Sequence, residues 1–295
     1  MPAIAQRPPE ENPVTTYAVT AASGQLGRLA VEALLARGER DVVAVVRTPA
    51  KVADLAERGV QVRAGDYDDR AALTAALRGV DRVLLVSGDT PGARLAQHAN
   101  VVEAAKAAGV SRIAYTGLLR ADVSGSPLAP DHVATEELLA ASGLEVTVLR
   151  NSWYLENQTA QLDRYLAAGE VVGSAHDGRI SAASRADYAE AAVAALTAEA
   201  PEPVYELAGE SFDLAELAAT VTEVTGTPVT YRDLGTEEHV AVLREAGLDE
   251  GTARFVAALD ASTAAGDLLT DRDDLARLLG RPATTLAEAV RAARA

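Results

Sequence analysis

The sequence predicts an α/β protein built on a doubly wound parallel sheet, with a smaller, mostly helical lobe toward the C-terminus. Three observations predict it. Short apolar runs alternate with amphipathic stretches through the first half of the 295 residues. The first run passes into a turn of small residues and then into a helix. The second run ends in a cation, Arg47, twenty residues after Gly27.

The apolar runs fall at residues 14–19, 41–46, 60–62, 82–86, 112–115 and 145–149. Amphipathic stretches at 26–36, 70–77, 95–108 and 134–142 lie between them. Runs rich in Val, Ile and Leu, separated by helices, mark strands buried on both faces. Right-handed crossovers then wind the sheet in two directions and leave a ligand crevice at the carboxyl ends of the strands. Residues 204–207 read as one more core strand and 186–197 as a helix covering the sheet. The remainder carries turn signals at Gly226, Gly247 and Gly280-Arg281-Pro282 and reads as mostly helical. The domain expectation is a disordered tail over 1–14, a nucleotide-binding domain over 15–150 plus about 185–208, and a substrate lobe over 151–184 plus 209–295.

The turn after the first strand, Thr20-Ala21-Ala22-Ser23-Gly24-Gln25-Leu26-Gly27, has the order of a dinucleotide pyrophosphate site. Gly24 lets backbone approach phosphate, Gly27 lets the helix pack on the strand, and the first-turn N–H groups face the anion. Ser23, Gln25 and Leu26 complete that loop. An NAD-preferring site carries Asp or Glu at the end of the second strand, to hold the ribose 2′-hydroxyl. Arg47, with Lys51 one helical turn on, suits a 2′-phosphate instead, so the expected cofactor is NADPH. Ala21 stands where the first glycine of this motif is usual, and a methyl group is tolerated there while φ stays negative.

Composition narrows the classes. A net charge of −16 repels nucleic acid and anionic membranes. Cysteine is absent, which excludes disulfides, thiol catalysis and Cys-ligated metal. No apolar run approaches the ~18 residues that span a bilayer. The first fourteen residues carry Pro2, Pro8, Pro9 and Pro13 and no apolar core of a signal peptide. The expected compartment is the cytoplasm. His98, His176 and His239 show no metal-ligand spacing, and Glu237-Glu238 and the acids between Asp271 and Asp274 read as solvated faces or helix starts. Arg185 and Asp187 read as a structural ion pair.

Several segments resemble the NmrA-like atypical short-chain dehydrogenases, in particular their NAD(P)H:quinone oxidoreductase type 2 branch. They are residues 20–27 (TAASGQLG), 45–51 (VVRTPAK), 64–69 (AGDYDD), 114–119 (AYTGLL), 132–136 (HVATE), 149–157 (LRNSWYLEN), 181–188 and 205–209 (YELAG). The resemblance implies a Rossmann domain with a small C-terminal domain, NADPH binding and flavin-free reduction of quinones. It implies that Gly24, Gln25, Leu26 and Gly27 meet the pyrophosphate and Arg47 the 2′-phosphate. It further implies that Asp66 and Tyr67 flank the adenine, that Ser87 lies near a ribose, and that Asn151, Trp153 and Tyr154 shape the pocket beside the nicotinamide. Gly117 departs from the family, whose members tend to carry Ser there.

The Tyr-x-x-x-Lys pair of ordinary short-chain dehydrogenases is missing, and His132 and Glu136 stand at that spacing. Reducing a ketone makes an alkoxide, for which a positioned acid matters greatly. Reducing a quinone makes a far less basic phenolate, so positioning and a dry, flat pocket carry more of the catalysis. An electron-poor planar acceptor therefore fits better than an alcohol. Asn151 is expected to contact substrate or nicotinamide. Tyr115 is either a donor to a quinone oxygen or a core aromatic, and Thr116 faces the cofactor if Tyr115 points into the opposite layer. His132 is either a general acid or a solvent-facing helix residue. Trp153 is either a pocket wall or core. The expected partner is a small quinone or aromatic acceptor, with a homodimer left open. A natural-product tailoring reductase and a non-catalytic NADP(H)-sensing regulator are the competing readings. Specificity is expected in loops near 88–94, 117–130 and 231–263.

Overall fold

The computed structural model describes residues 14–88, 90 and 92–294. The expected disordered tail lies outside the described residues except for Val14. Seven strands form one parallel sheet: β1 (Tyr17–Val19), β2 (Val42–Val46), β3 (Gln61–Ala64), β4 (Arg82–Leu85), β5 (Arg112–Leu118), β6 (Glu145–Asn151) and β9 (Val204–Leu207). Their spatial order is β3-β2-β1-β4-β5-β6-β9, and every pairing is parallel. The chain winds outward from β1 through β2 to β3, then returns to pair β4 on the other side of β1. That reversal opens the ligand crevice at the carboxyl ends of β1 and β4.

Helices α1 (Gln25–Ala36) and α8 (Arg185–Thr197) cover one face of the sheet and pack against each other. The short α2 (Ala53–Glu57) follows β2. On the opposite face lie α3 (Arg70–Ala76), α4 (Arg94–Ala108) and α5 (Ala129–Ala140), neighbours in that order. Strand alternation divides the core accordingly. Tyr17, Val19 and Ala114 join one cluster, whereas Ala18, Ile113 and Tyr115 join the other.

The turn between β1 and α1 is the tightest point. A Cβ at Gly27 would lie 2.4 Å from the Ala21 carbonyl oxygen, inside any real contact, so only glycine allows the helix this close. Gly24 N–H donates to that same carbonyl at 2.8 Å. The backbone takes this course by putting Ala21 at φ 48°, in the left-handed region. The expectation of a negative φ is corrected here: the turn keeps glycine-like geometry and imposes it on an alanine.

The C-terminal lobe holds α6 (Leu155–Thr159), α7 (Leu162–Ala168), α9 (Leu214–Thr225), α10 (Thr236–Glu245), α11 (Glu250–Ala264) and α13 (Leu286–Arg294). It also holds four short strands that helical patterning hid. β7 (Glu170–Gly173) pairs in parallel with β11 (Thr230–Asp233), and β8 (Ile180–Ser181) pairs antiparallel with β10 (Ser211–Phe212). Strands of two to four residues are too short to show a period of two. The segment 231–263, expected as a loop, is mostly the helices α10 and α11. One segment expected in the lobe packs elsewhere. Helix α12 (Asp274–Leu279) sits on α8 and β9, and Leu275 belongs to the core of the large sheet. There Asp274 is buried at the helix start, one of the two expected roles, and not on a solvated face: it accepts from the Glu206 backbone N–H at 3.0 Å and pairs with Arg272 and Arg277.

Holding an L-residue in the left-handed region costs about 1–2 kcal/mol, of which glycine's larger unfolded-state entropy offsets part. Ala21→Gly is therefore expected to raise stability by roughly 1 kcal/mol in urea denaturation. A neutral or destabilising result would overturn the strain assigned to this turn.

Candidate active site

A cleft of ≈ 590 Å³ runs along the carboxyl ends of the strands. Its lining includes Ser23, Gly24, Gln25, Leu26 and Gly27 from the turn, Arg47 and Lys51 after β2, and Asp66 and Tyr67 after β3. Ser87, Thr116, His132, Asn151, Trp153 and Tyr154 continue it. Of the residues the sequence singled out for the site, Tyr115 alone does not line it.

The turn presents the open end of α1. Its N-cap, Gly24, brings no side chain to the first turn, so those N–H groups remain available to an anion. Arg47 and Lys51 are exposed at the same end, and neither side chain has a hydrogen-bond or ion-pair partner among the described residues. A helix N-terminus beside two uncommitted cations suits a ligand carrying several phosphates.

Strand ends around the cleft are bolted together by side chains. The Tyr67 hydroxyl donates to the Val86 carbonyl at 2.7 Å and meets Thr20 Oγ1 at 2.5 Å. Thr20 Oγ1 accepts from the Val86 N–H at 3.1 Å, and Thr116 Oγ1 accepts from the Ser87 N–H at 2.8 Å. Tyr67 therefore presents its ring to the cleft while its hydroxyl is spent on the scaffold. Asp66 Oδ1 accepts from the Asp68 N–H at 3.2 Å, which forms a local turn.

His98 continues this scaffold. The Thr135 hydroxyl donates to the Asp131 carbonyl at 2.8 Å, so its oxygen accepts from His98 Nδ1–H at 3.0 Å. The opposite nitrogen, Nε2, is then a lone pair and accepts from the Gly88 N–H at 3.1 Å. Only a neutral ring satisfies both neighbours, and burial pushes its pKa down to about 4. Arg94, buried at the start of α4, donates to the Gly88 carbonyl at 2.8 Å and to Asp131 at 3.2 Å.

Tyr115 and His132 need correcting as catalytic candidates. Tyr115 is fully buried in the layer under α3, α4 and α5, and its hydroxyl bonds His132 Nδ1 at 2.8 Å. Strand alternation sends it away from the cleft and turns Thr116 toward it. Burial pushes the Tyr115 hydroxyl up to about 12. His132 lines the cleft and does not face solvent; burial, with a smaller effect of Arg94, pushes its pKa down to about 3. A neutral imidazole is a poor general acid. Glu136 is diverted as well. It holds the buried Arg150 in a two-point pair at 3.0 and 2.7 Å, alongside Asp122 at 2.8 Å and Glu206 at 2.9 Å. Removing one partner of such a buried pair costs about 3–5 kcal/mol, so this is scaffold.

Asn151 is different. It ends β6, is 4% exposed, and its Oδ1 has no hydrogen-bond partner among the described residues. An unpaired buried acceptor that lines a cleft is satisfied by a ligand donor. Trp153 both walls the cleft and packs on the lobe core. Tyr154 is sandwiched between the Arg185 guanidinium, 4.4 Å from its ring centroid, and Tyr188 at 5.4 Å edge-on. Arg185 does not pair with Asp187. It bonds Asn157 at 2.8 Å and Glu156 at 3.5 Å, while Asp187 bonds Arg281 at 2.9 Å and the Thr284 N–H at 2.9 Å. Arg185, Arg94 and Asn157 all line the cleft and were missed as site residues. Arg185 and Asn157 stood within the family-like segments, and Arg94 at the edge of a loop expected to carry specificity, but nothing in their local spacing marked them.

Residues 21–199 match the model of a family described as NAD(P)H-binding. The chain is 47% identical over 276 residues to quinone oxidoreductase 2 of Escherichia coli (strain K12), covering 92% of this chain and 96% of that one. The crystal structure of an Escherichia coli NADPH-dependent quinone oxidoreductase complexed with NADPH superposes with a TM-score of 0.92 at 45% identity, over 95% of this chain and 100% of that one. A Citrobacter sp. triphenylmethane reductase complexed with NADP(H) superposes at 0.89 with 36% identity, over 94% of this chain and 100% of that one. The chain belongs to the NAD(P)H-binding, NmrA-like family.

Because His98 and His132 are neutral when folded but titrate near pH 6.5 when unfolded, the unfolded chain binds more protons below that pH. Stability is therefore expected to fall as pH drops from about 6.5 toward 4, by roughly 1.4 kcal/mol per pH unit for each ring. His176, exposed and raised by Asp233, acts with the opposite sign and stays constant in the comparison. His132→Asn is expected to remove about half of that slope in urea denaturation series. An unchanged slope would overturn the burial of His132 as its source.

Proposed function

We propose that this member of the family reduces quinones at the expense of NADPH, the cofactor lying along the cleft from Arg47 to Trp153. The observation that carries this reading is the pairing of two ends of one cleft. Among the described residues, one end offers two cations without partners beside an uncapped helix N-terminus; the other offers a buried, unpaired acceptor, Asn151 Oδ1. The likeness to the Escherichia coli quinone oxidoreductase supports the acceptor class.

The residues fit the cofactor by charge and by space. Arg47 and Lys51 would hold the 2′-phosphate, the turn from Ser23 to Gly27 the pyrophosphate, and Asp66 and Tyr67 the adenine end. Ser87 and Thr116 would lie along the ribose and nicotinamide. Reduced nicotinamide, when bound, supplies two electrons and one proton as a hydride; water supplies the second proton that completes the hydroquinone.

What the chain contributes is placement. Trp153 and Tyr154 wall the pocket and exclude water, with Arg185 stacked behind Tyr154. Asn151 Oδ1 orients a donor on the nicotinamide or the acceptor. His132, neutral at physiological pH, provides no imidazolium. This matches an acceptor whose reduced form is a weakly basic phenolate and needs no strong acid. The reading calls for the cytoplasm, where NADPH is regenerated.

Loss of NADPH absorbance with a panel of simple quinones tests the activity. Tight NADPH binding with no turnover on any quinone would favour a cofactor sensor instead. Arg47→Asp is expected to raise the KM for NADPH about 10–100-fold, the worth of a charge-assisted phosphate contact, while NADH use changes only a few-fold. Equal losses with both cofactors would remove Arg47 from the phosphate site.

A further inference from the structure

A second cavity, ≈ 440 Å³, lies within the lobe and shares Leu118, Trp153 and Asn157 with the cofactor cleft as common walls. Its other walls are mainly apolar and come from α10 and α11 on one side and β7 on the other, with Val242, Leu243, Val256, Leu259 and Val171 among them. The size falls within the range of complete small-molecule sites.

One buried polar group separates this cavity from a packing defect. His239, on α10, is 3% exposed and lines it. Its Nδ1 faces Asp260 Oδ2 at 3.2 Å and Ser174 Oγ at 3.0 Å, and the same carboxylate oxygen accepts from the Ser174 N–H at 2.7 Å. The Ser174 hydroxyl can donate to Nδ1 or accept from it, so Nδ1 is held in either neutral tautomer. Nε2 remains without a partner among the described residues. An imidazole locked on one side and unpaired on the other is built to meet a ligand.

We propose that the lobe cavity receives the apolar substituent of the acceptor. The preferred substrates are then quinones bearing a long alkyl or fused-ring group, and α10 and α11 set the specificity. This rests on the quinone reading above. The quinone ring sits beside Trp153 and Asn151 in the cleft, and its substituent passes the shared walls into the lobe. The α10 and α11 walls fall in the segment 231–263, where the sequence leads one to expect specificity.

The test compares 1,4-benzoquinone with a decyl-substituted benzoquinone in the wild-type protein and in Val242→Phe, which fills the cavity, with Val256→Phe as a second filling variant. The substituent is expected to raise kcat/KM about ten-fold or more in the wild type and about two-fold or less in the filled variants. Equal chain-length ratios in all three proteins would overturn the proposal. Binding of decylhydroquinone, followed through the emission of Trp153, the single tryptophan, needs no turnover. Saturable binding that is lost in the filled variants, with no quinone reduced by any protein, would keep the cavity and overturn the quinone reading. Turnover with no chain-length effect would overturn the cavity and keep the quinone reading.

Discussion

The structure depends on one close approach: the start of α1 lies against the backbone of the turn that leaves β1, with no room for a Cβ at Gly27. That contact sets the angle at which α1 leaves the sheet. The uncapped helix N-terminus thereby lines the crevice, and α1 packs against α8. Ala21 bears the conformational cost at φ 48°, and Gly24 returns a hydrogen bond to its carbonyl. A wider turn would move the anion site away from Arg47 and loosen the helix layer together.

Around this turn, most polar side chains near the cleft serve to hold strand ends in register. Thr20, Tyr67 and Thr116 tie β1, β3, β4 and β5 where the ladder hydrogen bonds run out. His98 and Arg94 hold Gly88 from both sides, through its N–H and its carbonyl. Arg150 draws carboxylates from α5, from the segment after β5 and from β9 onto β6. The outcome is a rigid rim with few free polar groups. Asn151 stands out against it because its acceptor has no partner among the described residues.

The same reasoning explains the missing acid. Ordinary short-chain dehydrogenases place Tyr and Lys at a spacing of four, where this chain has His132 and Glu136. Both are consumed by the scaffold: His132 by Tyr115 and burial, Glu136 by Arg150. A site that has given up its proton donor keeps only acceptors whose reduced form is stable as a weak base.

Read alone, the sequence determined the order of the seven core strands and the longer helices between them, the parallel sheet, the anion-binding turn and the cationic end at Arg47. These follow from local periodicity, small residues and a fixed offset along the chain, all of which are written in consecutive residues. Only the tertiary structure decided which side chains are free. Tyr115 and Thr116 are neighbours in sequence, but their fates depend on which layer each faces. Arg185 stands two residues from Asp187, yet it takes partners about thirty residues back while Asp187 takes two about a hundred residues ahead. The four short lobe strands, the packing of α12 on the large sheet and the second cavity arise the same way. Hydrogen bonds and close packing are satisfied between distant segments, and no local pattern records which distant segment will supply the partner.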